Sequence, residues 1–149
     1  MLKEISSVFS FLTIIPSNNT DLGTVARYMH VFPIIGIGIG LLIASIGFGL
    51  SFFLEPLIVA LLVVASIAII TGIHHTDGLA DFADGLMTRG TKEKKRQAMK
   101  DLSTGSAGIV SVVLSIVGVI IALSLTTGYE LFQAILLSEI LAKFSMVLM

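Results

Sequence analysis

The chain has 149 residues, of which 55% are hydrophobic and only 13% charged, with a mean hydropathy of +1.02. Soluble domains carry about 25% charged residues, so an ordinary soluble domain is excluded. A formal net charge of −1 selects no partner, and no nucleic acid is expected. The absence of cysteine excludes disulfides, thiolate metal sites and cysteine nucleophiles.

The first element is the stretch 3–15, KEISSVFSFLTII, too short to span a bilayer. A signal peptide fits poorly, because Glu4 stands in its basic region and no small-residue cleavage site follows. A short re-entrant or interfacial helix is expected instead, ended by Pro16-Ser17-Asn18-Asn19. Residues 17–30 form a polar link. Residues 31–54 are uncharged and mostly apolar. At 1.5 Å per residue they reach about 36 Å, enough for a hydrocarbon layer of about 30 Å. Glu55-Pro56 makes a tight turn, with the proline starting the next helix. Residues 57–73 form a second, shorter span, and residues 107–127 a third that turns at Thr126-Thr127-Gly128. Residues 131–149 begin a fourth, and the sequence reaches Met149 inside that apolar run, as expected of a truncated C-terminus. The expected fold is all-α: a polytopic membrane bundle of about four spans, with a short N-terminal helix and a helical loop.

Lys and Arg orient it. Lys3 and Arg27 precede span one, and Arg89, Lys92, Lys94, Lys95, Arg96 and Lys100 follow span two. The turns at 55–56 and 127–130 contain neither residue. The basic side, and the loop at 74–106 with it, is therefore expected in the cytoplasm, on a multi-pass protein of the cell membrane.

Gly36, Gly38 and Gly40 lack the preceding strand and the final glycine of a dinucleotide fingerprint. Gly36, Gly40 and Ala44 instead form a small-xxx-small stripe that suits close helix packing. More chemistry lies in GIHHTDGLADFADG, residues 72–85. Asp77, Asp81 and Asp84 fall within roughly a 60° arc of one helix, and His74 joins that face. Three like charges repel unless a cation stands among them. The plain alternative is a solvated helix end, where aspartates are favourable. Oxygen ligands without cysteine suit Mg²⁺, with Mn²⁺ as a substitute, whereas zinc would call for more than His30, His74 and His75. Glycine follows aspartate at 77–78 and 84–85, either to admit a phosphate and its metal or to break the helix.

The segment RGTKEKKRQAMK, 89–100, carries six basic residues against one acid, suited to anionic lipid or to a polyphosphate. Lys100-Asp101 then precedes a loop with Gly105 and Gly108 that opens onto span three, a natural anion site. Glu139 and Lys143 stand four apart inside span four, with Lys143 about 21 Å from the outer turn. Ionisable groups at such depth are functional candidates, usually paired. A carboxylate–metal face beside a basic loop suits phosphoryl transfer, in which positioning and charge neutralisation dominate. One substrate would bring a pyrophosphate and the other a hydroxyl.

HTDGLADFADGL (75–86) resembles the signature of the cobalamin synthase family, adenosylcobinamide-GDP ribazoletransferase. FLTIIP (11–16), FPIIGIGIG (32–40), AMKDLSTGSAG (98–108) and SEILAKFSMVL (138–148) are similar to further family segments, in the same order. Ile14, Leu102 and Ser103 stand where the family tends to be basic, and Lys143 where it tends to carry Arg; Lys keeps the charge but loses bidentate phosphate contact. The resemblance implies a membrane enzyme that joins adenosylcobinamide-GDP to α-ribazole, or its 5′-phosphate, and releases GMP with Mg²⁺. It also implies that 1–149 is one membrane-embedded transferase domain, the N-terminal part of a longer one.

On that resemblance Asp77, Asp81 and Asp84 are expected to hold the metal. His75 contacts phosphate or shuttles a proton, and Asp101 is a second metal ligand or the general base. Arg89, Lys100 and Lys143 contact phosphate. Asp101 is expected within roughly 8 Å of another of these carboxylates, as a metal pair about 4 Å apart requires; the alternative is an N-cap for span three. The expected partners are the two small-molecule substrates and the lipid bilayer, with self-association left open. Two rivals are weaker. A CDP-alcohol phosphotransferase carries Arg where Asp81 stands. A transporter fragment would face its acids mid-membrane.

Overall fold

A computed structural model describes residues 2–16 and 21–148, the side chains of Leu2 and His74 excepted. Residues 17–20 of the expected polar link and Met149 lie outside the described residues. The elements are α1 (Leu2–Leu12), α2 (Leu22–Arg27), a 3₁₀ turn (Met29–Val31), α3 (Phe32–Leu50), α4 (Pro56–Thr71), α5 (His74–Met87), α6 (Lys92–Ala98), α7 (Ser106–Ser124) and α8 (Gly128–Leu148). All described secondary structure is helical, as expected. Met29–Leu50, Ser106–Ser124 and Gly128–Leu148 are each long and apolar enough to cross a membrane. The expected second span is the 16-residue α4, which counts as a fourth only when taken together with α5.

The chain divides into two compact units, residues 1–72 with 120–149, and residues 73–119. In the first, α3 packs mainly on α8. Ile35, Ile39 and Ile43 of α3 meet Leu131 and Ile135 of α8 and Val59 and Val63 of α4 in one buried cluster. The glycine stripe makes this approach possible. A Cβ on Gly36 would stand 3.0 Å from the Glu139 carbonyl oxygen, and one on Gly40 would stand 3.2 Å from Glu139 Cβ. Gly38, on the other face, has nothing within 4 Å. The Glu139 carboxylate and the Lys143 ammonium pair at 2.6 Å within this interface, and both residues are buried.

The N-terminal helix is part of the same core. Val8 and Leu12 of α1 are fully buried with Phe32 and Val25, and the Ile14 N–H donates to the Ile70 carbonyl at 2.9 Å. Asp21 caps α2, accepting from the N–H groups of Gly23 and Thr24. Glu55 precedes α4 in an extended conformation with Pro56 in its first turn, where proline has no bond to lose. Gly72, at φ +69°, ends α4 in a conformation that a side chain disfavours.

The second unit holds α5, α6 and most of α7. Ala80 and Ala83 are the buried face of α5. Gly85 lies against Met99, just beyond α6: a Cβ there would collide with the Met99 thioether. Along α7 most apolar residues are exposed, among them Val110, Val113, Leu114 and Val117. A helix apolar all round suits a bilayer.

Candidate functional site

The aspartate string lies on α5, as its spacing requires. Asp77 is exposed, while Asp81 and Asp84 are half-buried. Gly78 leaves open space beside Asp77, with nothing within 4 Å of a built Cβ. His75 is exposed in the first turn of α5, and the His74 side chain is outside the described residues. Thr88 closes α5: its N–H and its hydroxyl both donate to the Asp84 carbonyl, at 3.0 and 2.7 Å. The Lys95 ammonium donates to the Leu86 carbonyl at 3.1 Å, placing a cation at the negative end of the helix.

The carboxylates differ in what they touch. Asp84 Oδ2 accepts from the Gly105 N–H at 2.7 Å, and Oδ1 from the Gly108 N–H at 2.8 Å. Gly105 offers its carbonyl to the Ile109 N–H and so stands as the N-cap of α7, but it has no side chain to cap with. Asp84 supplies the missing acceptor from α5. The glycine-rich loop, read from sequence as an anion site, receives this chain's own carboxylate. Neither Asp77 nor Asp81 has a side-chain partner among the described residues.

Asp101 is not the N-cap of α7, the plain alternative expected for it. Its Oδ1 accepts from the Ser103 N–H at 3.0 Å and from the Ser103 hydroxyl at 2.7 Å, closing a local turn before α7. The Ser103 N–H, then its hydroxyl, hold the Asp101 carboxyl below the usual carboxylate range. A carboxyl held ionised is a strong acceptor and a weak general base.

Among the described residues no three His, Cys, Asp or Glu stand close enough to hold a metal ion. The donors therefore do not fit an all-protein cage. Magnesium commonly takes only one or two carboxylates and completes its shell with substrate phosphate and water; Asp77 and Asp81 suit that smaller role.

Two hollows border these residues. One, of about 430 Å³, lies between α5 and α7; Thr76, Asp77 and Thr104 are its polar lining, and Ile73, Ile109 and Val112 part of its apolar wall. Such a wall with few polar groups is the usual make-up of a small-molecule site. The two threonines gave no signal in the sequence, because only the fold brings Thr104 to Thr76. The other, an open groove of about 610 Å³, is lined by Glu93, Arg96, Gln97, Lys100, Asp101 and Leu102. It gathers the expected Lys100 and Asp101 and adds Arg96. Arg89 is exposed in the link between α5 and α6. Lys143 belongs to the other unit, where Glu139 holds its ammonium.

Residues 4–149 match the family model described as Cobalamin-5-phosphate synthase. The chain belongs to the cobalamin-5-phosphate synthase family. Family relatives named adenosylcobinamide-GDP ribazoletransferase include one from Geotalea daltonii, 37% identical over 99% of this chain and 60% of the relative. One from Pyrococcus abyssi is 35% identical over 95% of this chain and 57% of the relative. One from Saccharolobus solfataricus is 39% identical over 72% and 43%. The chain thus spans about half the length of the curated relatives it matches. No solved structure matches it.

Proposed function

We propose that this synthase-family chain carries the phosphate-handling face of a membrane-bound transferase. Its substrates are adenosylcobinamide-GDP and α-ribazole or α-ribazole 5′-phosphate, and its released product is GMP. The observation that carries the reading is the pair Asp77 and Asp81, unpartnered on α5 beside the hollow that α5 forms with α7. Membership of the family and the names of its relatives supply the substrates.

In this reading a ribose hydroxyl attacks the phosphorus on the cobinamide side, the bond from that phosphorus to the GMP oxygen breaks, and GMP carries away the electron pair. Lys100 and Arg96 balance the negative charge of the pyrophosphate from the basic groove, with Arg89 nearby in sequence. Asp101 is fixed by Ser103 as an acceptor that orients the attacking hydroxyl. His75 is the group suited to take the hydroxyl proton, since histidine titrates closest to neutrality. Asp77 and Asp81 would hold a Mg²⁺ ion, which when bound would supply charge neutralisation. The basic loop faces the cytoplasm on the Lys/Arg asymmetry.

The direct test is chromatography of products after incubating the full-length membrane protein with adenosylcobinamide-GDP and α-ribazole. GMP should appear in step with a cobamide product. A protein that binds both substrates yet releases no GMP would refute the reading.

A further inference from the structure

We infer that Asp84 is a positioning residue: its carboxylate latches the start of α7 onto α5, and so sets the hollow in which Asp77 stands. The inference rests on the transferase reading only for the role of that hollow. The latch itself is read from geometry.

Both oxygens of Asp84 are engaged, by the Gly105 and Gly108 amides at 2.7 and 2.8 Å. Charge-assisted bonds of this length are the strong ones. The fit leaves no room for side chains. A Cβ on Gly105 would stand 2.5 Å from Asp84 Oδ1, and one on Gly108 would stand 2.6 Å from Oδ2 and 2.9 Å from the Ala80 carbonyl oxygen. The two glycines are therefore what lets α7 close onto α5, and Asp84 is what holds it there. Ala80 and Thr104, which border this contact, also line the hollow that contains Asp77.

Helix rise sets Asp84 apart from Asp77, the aspartate that lines the hollow. Seven residues along α5 place it about 10 Å beyond Asp77 on the same face. The three aspartates thus divide by what they touch: Asp77 and Asp81 have no side-chain partner among the described residues, and Asp84 is held by the Gly105 and Gly108 amides.

The test is hydrogen exchange at the 102–109 segment of the full-length protein in detergent, together with Mn²⁺ binding followed by electron paramagnetic resonance. In the wild type, exchange at the Gly105 and Gly108 amides should be unchanged by saturating Mn²⁺. An Asp84 recruited as a ligand would share its lone pairs with the ion, weakening its bonds to those amides, and their exchange would rise. Asp84→Asn should speed exchange there at least tenfold, because an amide offers one acceptor where the carboxylate offers two. Its Mn²⁺ affinity should stay within about twofold. Gly108→Ala keeps every aspartate, yet should speed exchange to a similar degree by displacing the latch. Asp77→Asn should do the reverse, weakening Mn²⁺ with exchange unchanged. Exchange that is unaltered in both Asp84→Asn and Gly108→Ala, or that rises in the wild type on Mn²⁺ binding, overturns the inference. If Asp84→Asn does not fold, Gly105→Ala and the wild-type comparison decide. A wild type that binds no Mn²⁺ overturns the ion-binding part of the proposed function; the latch is then judged on the exchange of the variants.

Discussion

Replacing Lys143 with Met should destabilise the helix pair α3–α8 far more than the loss of one surface charge. In the native protein the ammonium lies 2.6 Å from Glu139 Oε2, and both residues are about 5% exposed. The Glu139 carbonyl and the Lys143 Cβ are pressed against Gly36, so α8 has little freedom to move the orphaned carboxylate toward water. Breaking a buried ion pair by removing one partner costs about 3–5 kcal/mol. At about 1.4 kcal/mol per tenfold change, that is roughly two to nearly four orders of magnitude in the unfolding equilibrium. Glu139→Leu should cost a similar amount by orphaning the ammonium. The double variant should recover most of the loss, because two apolar side chains replace two buried charges, a change that is often neutral or stabilising. The assay is a double-mutant cycle on the full-length protein in mixed micelles, unfolded with denaturant and followed by circular dichroism. Single variants within about 0.5 kcal/mol of wild type, or a double variant as unstable as the worse single, would refute the reasoning. The double variant also separates structure from chemistry. If it folds and loses activity, Lys143 has a phosphate role besides its pairing.

Gly40→Ala and Gly36→Ala should lower the melting temperature, by an overpacking penalty of about 1–3 kcal/mol, because the new Cβ meets α8 backbone or a close side chain; Gly38→Ala, facing open space, should be tolerated. A cysteine at Thr91 should react with an impermeant reagent only from the cytoplasmic side and one at Glu55 only from outside; labelling of Thr91→Cys in intact cells would reverse the topology. Activity should vanish with EDTA and return in part with Mn²⁺, and Asp81→Asn should weaken metal binding while leaving membrane insertion intact; an Asp81→Asn protein that is fully active in EDTA would remove the ion from the proposal. Because the Asp101 carboxyl is held low by the Ser103 N–H and hydroxyl, its turn is fully formed above the ordinary carboxylate pKa and is lost only as pH falls through the lowered value. Exchange at the Ser103 amide should therefore rise in that acid window, and Asp101→Asn should remove the step.

The sequence by itself determined the long apolar elements, though not α2, which lies within the stretch read as a polar link. Runs such as 31–54 read as helices because their backbone bonds close locally and their apolar content needs no knowledge of neighbours. Glu55-Pro56 and Thr126-Thr127-Gly128 mark the turns for equally local reasons. The stripe Gly36, Gly40 and Ala44 announced a close contact, and the four-residue spacing of Glu139 and Lys143 announced a pair. The tertiary structure decided the partners. That α8 is what fills the glycine stripe, and that Val8 and Leu12 anchor α1 in the core, depends on packing between distant segments. Asp84 is the sharpest case: on α5 it is one of three aspartates on a single face, indistinguishable by period from Asp77 and Asp81. Its bonds run to amides 21 and 24 residues away. Helical periodicity assigns a residue to a face, but only the chain's path beyond α6 decides which backbone groups that face meets.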